Sequence, residues 1–210
     1  METFEYIHDP DEIYAESFRR IEAEVDLKNF SGIMRSVVTR MVHASATVEV
    51  ADLIKFSKGA AEAGRAALQN GATILVDAEM VKRGIIKKYL PKNNLIECYL
   101  DAPGVANDAI ARAETRSAIA VERWADTING AVCVIGNAPT ALFRLLEMIK
   151  QNPKIKPALI IGLPVGFVGA AEAKEALIKN AGDVAFITLS GRLGGSAMAG
   201  AALNAIAKGD

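Results

Sequence analysis

Ala131-Val132-Cys133-Val134-Ile135-Gly136-Asn137-Ala138-Pro139-Thr140 is the stretch that decides the fold. Five residues run without a polar break, and a loop of small and polar residues follows. An unbroken apolar run of this length fits a strand covered on both faces, as in a parallel sheet. The same pattern occurs at Ala72 to Val76, Leu95 to Leu100, Ala158 to Ile161 and Val184 to Leu189. Between successive runs there is enough chain for a helical crossover. Residues 71–210 therefore read as repeated strand-loop-helix units. The expected fold is a three-layer α/β/α domain with a mainly parallel five-stranded sheet.

Outward from the sheet, residues 1–70 read as a helical segment. Asp9, Pro10 and Glu12 form an N-cap, a first-turn proline and a capping-box partner. Tyr14, Phe18, Ile21 and Val25 then recur at helical spacing, with Ser17 at the edge of the apolar stripe. That hydroxyl either serves a site or bonds back to a carbonyl one turn earlier. A second helix follows Ser31. If it spans residues 33–47, Met34, Val38, Met41 and Ser45 share one face, while Ser36, Arg40, His43 and Thr47 lie roughly opposite. A third is expected from Ser57, as its cap, to Asn70 before Gly71, and its alanines and Gly64 allow close packing.

The polar face of the second helix is the candidate catalytic surface. It offers two hydroxyls, an arginine and one of the chain's two histidines, rather than the Lys and Glu typical of a solvated face. Imidazole ordinarily titrates at about pH 6.5, which suits proton transfer near neutrality. Periodicity alone does not distinguish this from a solvated histidine on an outer face.

Ligands of parallel α/β sheets bind beyond the carboxyl ends of the strands. Here those segments are Asp77-Ala78-Glu79, Asp101 to Gly104, Gly136 to Thr140, Gly162 to Gly169 and Ser190 to Ser196. Their glycines would let backbone N–H groups approach a large ligand, although each loop alone is also an ordinary tight turn. None matches a dinucleotide or nucleoside triphosphate phosphate loop, so no nucleotide cofactor is expected. Thr115 reads as the cap of a long helix running towards Trp124 and Ile128. Arg116 would lie at its positive end, open to a carboxylate or to solvent.

At 210 residues, with 51% hydrophobic and 23% charged residues and no break in composition, the chain is expected to be a single domain, 1–210. The positive mean hydropathy points to generous burial or a subunit interface. A net charge of -1 leaves no footprint for nucleic acid or an anionic membrane surface. With no basic leader and no long apolar run, the expected location is cytoplasmic. Cys98 and Cys133 lie in apolar runs and read as core residues. The isolated histidines and cysteines give no metal-ligand spacing, so no protein-bound metal is expected.

Several of these stretches, in order, resemble the precorrin-8X methylmutase family over essentially the whole chain. They are Ile13-Tyr14 with Ser17-Phe18, Arg40-Met41-Val42-His43-Ala44, Asp77-Ala78-Glu79-Met80-Val81, Thr115-Arg116-Ser117-Ala118, Gly136 to Leu142, Pro164 to Glu172, and Gly191 to Ser196. The resemblance implies an isomerase of cobalamin biosynthesis that moves a methyl group from C-11 to C-12 on ring C of a tetrapyrrole, without a cofactor. The product would be hydrogenobyrinate or cobyrinate, and both metal-free and cobalt-containing substrates are compatible with the sequence. The resemblance also implies His43 as the proton-transfer residue, Ser17, Arg40, Thr47 and Arg116 as substrate contacts, and a homodimer with substrate near the subunit interface. The alternative from another class is a non-catalytic corrinoid carrier, which would not depend on His43.

Overall fold

In the computed structural model, which describes residues 4–209, all five apolar runs are strands. They are β2 (Ile74–Val76), β3 (Ile96–Cys98), β4 (Val132–Ile135), β5 (Leu159–Gly162) and β6 (Phe186–Leu189). A sixth, β1 (Ile54–Phe56), was not expected. It pairs antiparallel with β6, while the other five pair in parallel, giving the order β1-β6-β5-β4-β2-β3. The sequence conceals β1 because it is three residues long, lies within a helical segment and carries an exposed Lys55. Ser57, expected to cap a helix, instead closes this edge. Its N–H donates to the Phe186 carbonyl, and its Oγ accepts from the Phe186 N–H.

The helices are α1 (Pro10–Glu24), α2 (Gly32–Ser45), α3 (Val50–Leu53), α4 (Ala60–Gln69), α5 (Glu79–Gly84), α6 (Val105–Ala111), α7 (Arg116–Glu122), α8 (Pro139–Gln151), α9 (Ala170–Asn180) and α10 (Ser196–Lys208). Alternation along the strands sorts the core into two faces. Ile74, Val76, Val132, Val134, Leu159, Ile161, Ile187 and Leu189 pack with residues of α2, α4 and α10. Leu75, Cys133, Ile135 and Ile160 pack with residues of α7, α8 and α9. The expected α/β/α layering is thus present.

The first face is built up further. Helices α10 and α4 lie against the strands, α2 packs on both of them, and α1 packs on α2. Small residues make this stacking possible. A Cβ on Gly64 would stand 2.5 Å from the Leu159 side chain, and Gly200 faces the Gly84 backbone closely enough to put a Cβ 3.3 Å from its carbonyl oxygen. The small-residue helix thus packs inside its own chain.

Three boundaries differ from expectation. Helix α2 stops at Ser45 because Ala46 adopts a left-handed conformation at φ 50, which leaves Thr47 outside the helix. Helix α7 stops at Glu122, and Trp124 and Ile128 reach the core from turns. Helix α4 begins only at Ala60, after a left-handed Gly59. Cys133 is buried as expected, with its thiol pushed up by desolvation, whereas Cys98 on the edge strand β3 is half-buried. No helix among the described residues is long and apolar enough to cross a membrane.

Candidate active site

The geometry around His43 is set by α1 and α2. The Asp9 side chain accepts from the N–H groups of Asp11 and Glu12, which fixes the start of α1. Ile21 is buried and anchors α1, while on α2 Met34, Val37, Val38 and Met41 turn into the core. Arg40 and His43 are thereby left on the outer side of α2, against α1.

Tyr14, Ser17 and Phe18 meet the imidazole from α1. Ser17 Oγ lies 2.8 Å from His43 Nδ1. The Tyr14 ring stacks on the imidazole at 5.4 Å and 28°, and Phe18 meets it edge-on at 5.6 Å. Positions 14, 17 and 18 are one helical turn apart, so a single face of α1 supplies all three contacts. Among the described residues Nε2 has no protein partner, which makes it the nitrogen open to a ligand. The guanidinium of Arg40 lies over Phe18 at 5.5 Å and Tyr89 at 5.9 Å. Arg20 also borders the His43 depression, but its guanidinium is closed on Glu16. Hydrogen bonds from Arg19 and Arg20 hold that Glu16 carboxyl down to about 2.

Two shallow depressions flank this cluster. One of about 260 Å³ is lined by Ser17, Ile21, Val42 and His43, and one of about 310 Å³ by Phe18, Thr39 and Arg40. Both lie at or below the low end of the ~300–1,000 Å³ of pockets that enclose a small ligand. Beyond Ser45 the chain runs through α3 to Leu53, whose carbonyl accepts from the Ser190 N–H just after β6. The His43 end of α2 therefore leads directly to the carboxyl edge of the sheet.

At that edge Asp77 acts as a tie. Its carboxylate, 2% exposed, accepts from Gly136 N–H at 2.9 Å, Asn137 N–H at 2.9 Å and Ala138 N–H at 2.7 Å. Burial pushes its pKa up, against the opposing pull of those three donors. The loop between β4 and α8 is thus held by the Asp77 side chain.

Residues 12–209 match the family model described as Precorrin-8X methylmutase. The chain belongs to that family. A relative of that name from Pseudomonas aeruginosa is 48% identical over 203 residues, covering 97% of each chain. A Cobalt-precorrin-8 methylmutase from Priestia megaterium is 39% identical, covering 94% of this chain and 87% of its own. Among solved structures, a Precorrin-8x Methyl Mutase from Thermus Thermophilus superposes with a TM-score of 0.84 at 42% identity, covering 94% of this chain and 95% of that one. Methylmutases are isomerases that transfer a methyl group within one molecule, and the family assigns the chain to cobalamin biosynthesis.

For a methylmutase site, the fold brings three of the five expected residues together, Ser17, Arg40 and His43. The other two pair elsewhere. The Thr47 hydroxyl donates to the Ser45 carbonyl at 3.0 Å, in the turn after α2. Arg116 lies at the start of α7, on the other face of the sheet, and pairs with Asp101 at 3.4 Å. Thr115 caps that helix as expected, accepting from Ala118 N–H, and also donates to Thr140 Oγ1. Sequence reasoning placed Tyr14 and Phe18 on the apolar stripe of α1 and in a block of the family resemblance, and gave neither a role at the site. Their spacing with Ser17 was the available signal for a second helix facing the histidine. Nothing in the sequence pointed to Tyr89, which meets Arg40 through tertiary packing.

Proposed function

We propose that this methylmutase converts precorrin-8X by moving the ring C methyl group from C-11 to C-12, with His43 as its proton-transfer residue. The observation that carries the assignment is the 2.8 Å pairing of Ser17 Oγ with His43 Nδ1. It fixes the ring and leaves Nε2 for the substrate. Ser17 thus acts as a positioning residue for the imidazole, and its hydroxyl retains the capacity for one further hydrogen bond. Tyr14 and Phe18 hold the plane of the ring.

In the reaction the C-11–methyl bond breaks as the C-12–methyl bond forms, and the conjugated double bonds shift to compensate. No electrons leave the system and no co-substrate is consumed. A proton taken from one position of the macrocycle is returned at another, so the imidazole ends in its starting state. Such a positioned acid–base contributes on the order of 100 to 10,000-fold in rate. Arg40 takes a peripheral carboxylate and Thr47 contacts a more distant part of the ligand, whereas Arg116 would reach it only by giving up Asp101. Relatives named for precorrin-8X are 48% identical, against 39% for the Priestia megaterium protein named for cobalt-precorrin-8, which favours the metal-free substrate.

We further infer that the chain works as a single cytoplasmic domain and as a homodimer. The two depressions beside His43 are too small for a tetrapyrrole, so a second surface must complete the site. Phe4, Tyr6, Ile13 and Tyr14 offer exposed apolar surface for such a contact, and Tyr14 lies against His43. Absorbance of wild type and His43→Ala incubated with precorrin-8X tests the reading. Conversion to the orange product is expected only with wild type, while His43→Ala still binds that product. Binding without conversion by wild type would leave a carrier instead.

A further inference from the structure

An arginine already closed on a carboxylate has little to offer a carboxylated ligand. Arg19 and Arg20 close on Glu16, Arg35 on Glu22, Arg83 on Glu79, Arg116 on Asp101 and Arg123 on Asp108. Arg112 and Arg144 share Glu114 and Glu122, and Arg65 donates to the Ala207 carbonyl. Two remain without a carboxylate or carbonyl partner among the described residues. They are Arg40, beside His43, and Arg192, in the loop after β6. Each lies over an aromatic ring instead, Arg192 over Phe167 at 5.4 Å.

The surroundings of Arg192 form a fixed ridge. Gly195 N–H donates to the Leu163 carbonyl at 2.8 Å, and Gly166 N–H to the Arg192 carbonyl at 3.4 Å. The buried Lys174 donates its Nζ to the Leu193 carbonyl. Gly194 lies so close to the neighbouring loop that a Cβ would stand 2.6 Å from the Pro164 carbonyl oxygen. On the crest of this ridge Phe167 and Val168 are 86% and 88% exposed, beside the partly exposed Val165 and Leu193.

We propose that Phe167, Val168 and Arg192 form a second subsite for the same ligand. The apolar face of a polycarboxylated macrocycle lies on Phe167 and Val168, and one of its peripheral carboxylates takes the Arg192 fork. This rests on the methylmutase reading above. The chemistry fits a flat conjugated ring with a charged rim, which covers apolar surface and needs a cation beside it. A protein partner would need roughly 800 Å² of surface, far more than one such crest presents.

Titration of hydrogenobyrinate into the full chain, followed by absorbance, tests the subsite. Arg192→Gln and Phe167→Ala should each raise Kd about tenfold. Ile110→Ala, at an apolar residue 80% exposed on α6, should leave it unchanged. Unfolding midpoints check that each variant remains folded. If wild type binds and both ridge variants bind within twofold of it, the proposal is overturned. If wild type does not bind, the methylmutase reading of the site fails, and this subsite with it. Sedimentation of Phe167→Ala is run in parallel. Dissociation of an oligomer would assign the crest to a contact between chains and refute the subsite.

Discussion

Replacing Asp77 isolates the cost of losing the tie at the carboxyl edge. Its carboxylate takes three backbone N–H groups, of which Gly136 is buried while Asn137 and Ala138 are half-buried. In Asp77→Ala all three lose their acceptor, and only the half-buried pair can turn to water. A buried donor left unpaired costs about 1–3 kcal/mol, and losing charge-assisted bonds adds to it. Against this, the variant no longer buries a carboxylate, a cost already visible in the raised pKa. The net expectation is a loss of about 3–4 kcal/mol. In Asp77→Asn the amide oxygen can still serve Asn137 and Ala138, leaving its NH2 group opposed to the Gly136 N–H. One unpaired donor gives about 2 kcal/mol. Urea unfolding with unchanged slopes measures both, with midpoint shifts on the order of 1–2 M for the alanine variant. Equal stability of wild type and Asp77→Asn, or a more stable Asp77→Ala than Asp77→Asn, would refute the reasoning.

Four further outcomes are expected. Ser17→Ala should lower kcat about tenfold with little change in KM, because it frees Nδ1 without removing a binding group. Mixing it with His43→Ala should restore no activity, since one chain supplies both residues, and recovery in mixed dimers would contradict the 2.8 Å pair. Burial pulls the Lys174 ammonium down from 10.5 to about 8, so between those values the unfolded chain holds more protons and stability rises with pH. Wild type should therefore gain stability relative to Lys174→Met between pH 8 and 10.5, and parallel curves would exclude the buried charge. Gly194→Ala should cost about 1–3 kcal/mol by forcing the β5 and β6 loops apart. A midpoint unchanged in urea would show that the loops yield freely.

The parallel sheet was legible because its strands are buried on both faces. β2, β4 and β5 read as unbroken apolar runs, and each is followed by a loop and a helix. β1 was not, since an edge strand of three residues needs neither length nor alternation to pair. Helix ends failed where the deciding conformation was a left-handed alanine at position 46, a state no residue pattern announced. Arg40 and His43 were legible as one polar face because three positions along a helix bring side chains to the same side. The contribution of α1 was only half legible. Periodicity placed Ser17 at the edge of a stripe, but its partner is 26 residues away and belongs to the packing of α1 on α2. Arg192 was written in plain view, yet an unpaired arginine is recognised only after the partners of all the others are known.

The unexpected strand matters to the site because it links two parts that the sequence presented separately. His43 and Arg40 belong to a helix stacked outside the layer that covers the sheet, whereas Arg192 belongs to a loop at the sheet's edge. A helix merely laid over the core would be free to settle wherever its apolar face fits best. Here the chain leaving α2 enters β1, whose antiparallel pairing sets Ile54 opposite Leu189 at the carboxyl end of β6. The Leu53 carbonyl then takes the Ser190 N–H at 2.8 Å, two residues before Arg192. The free arginine of the helix and the free arginine of the loop are therefore joined by a short, paired path. Their separation is fixed by the packing of α2 on α10 together with the backbone pairing of β1 with β6, which suits a rigid macrocycle that carries its carboxylates at fixed spacing.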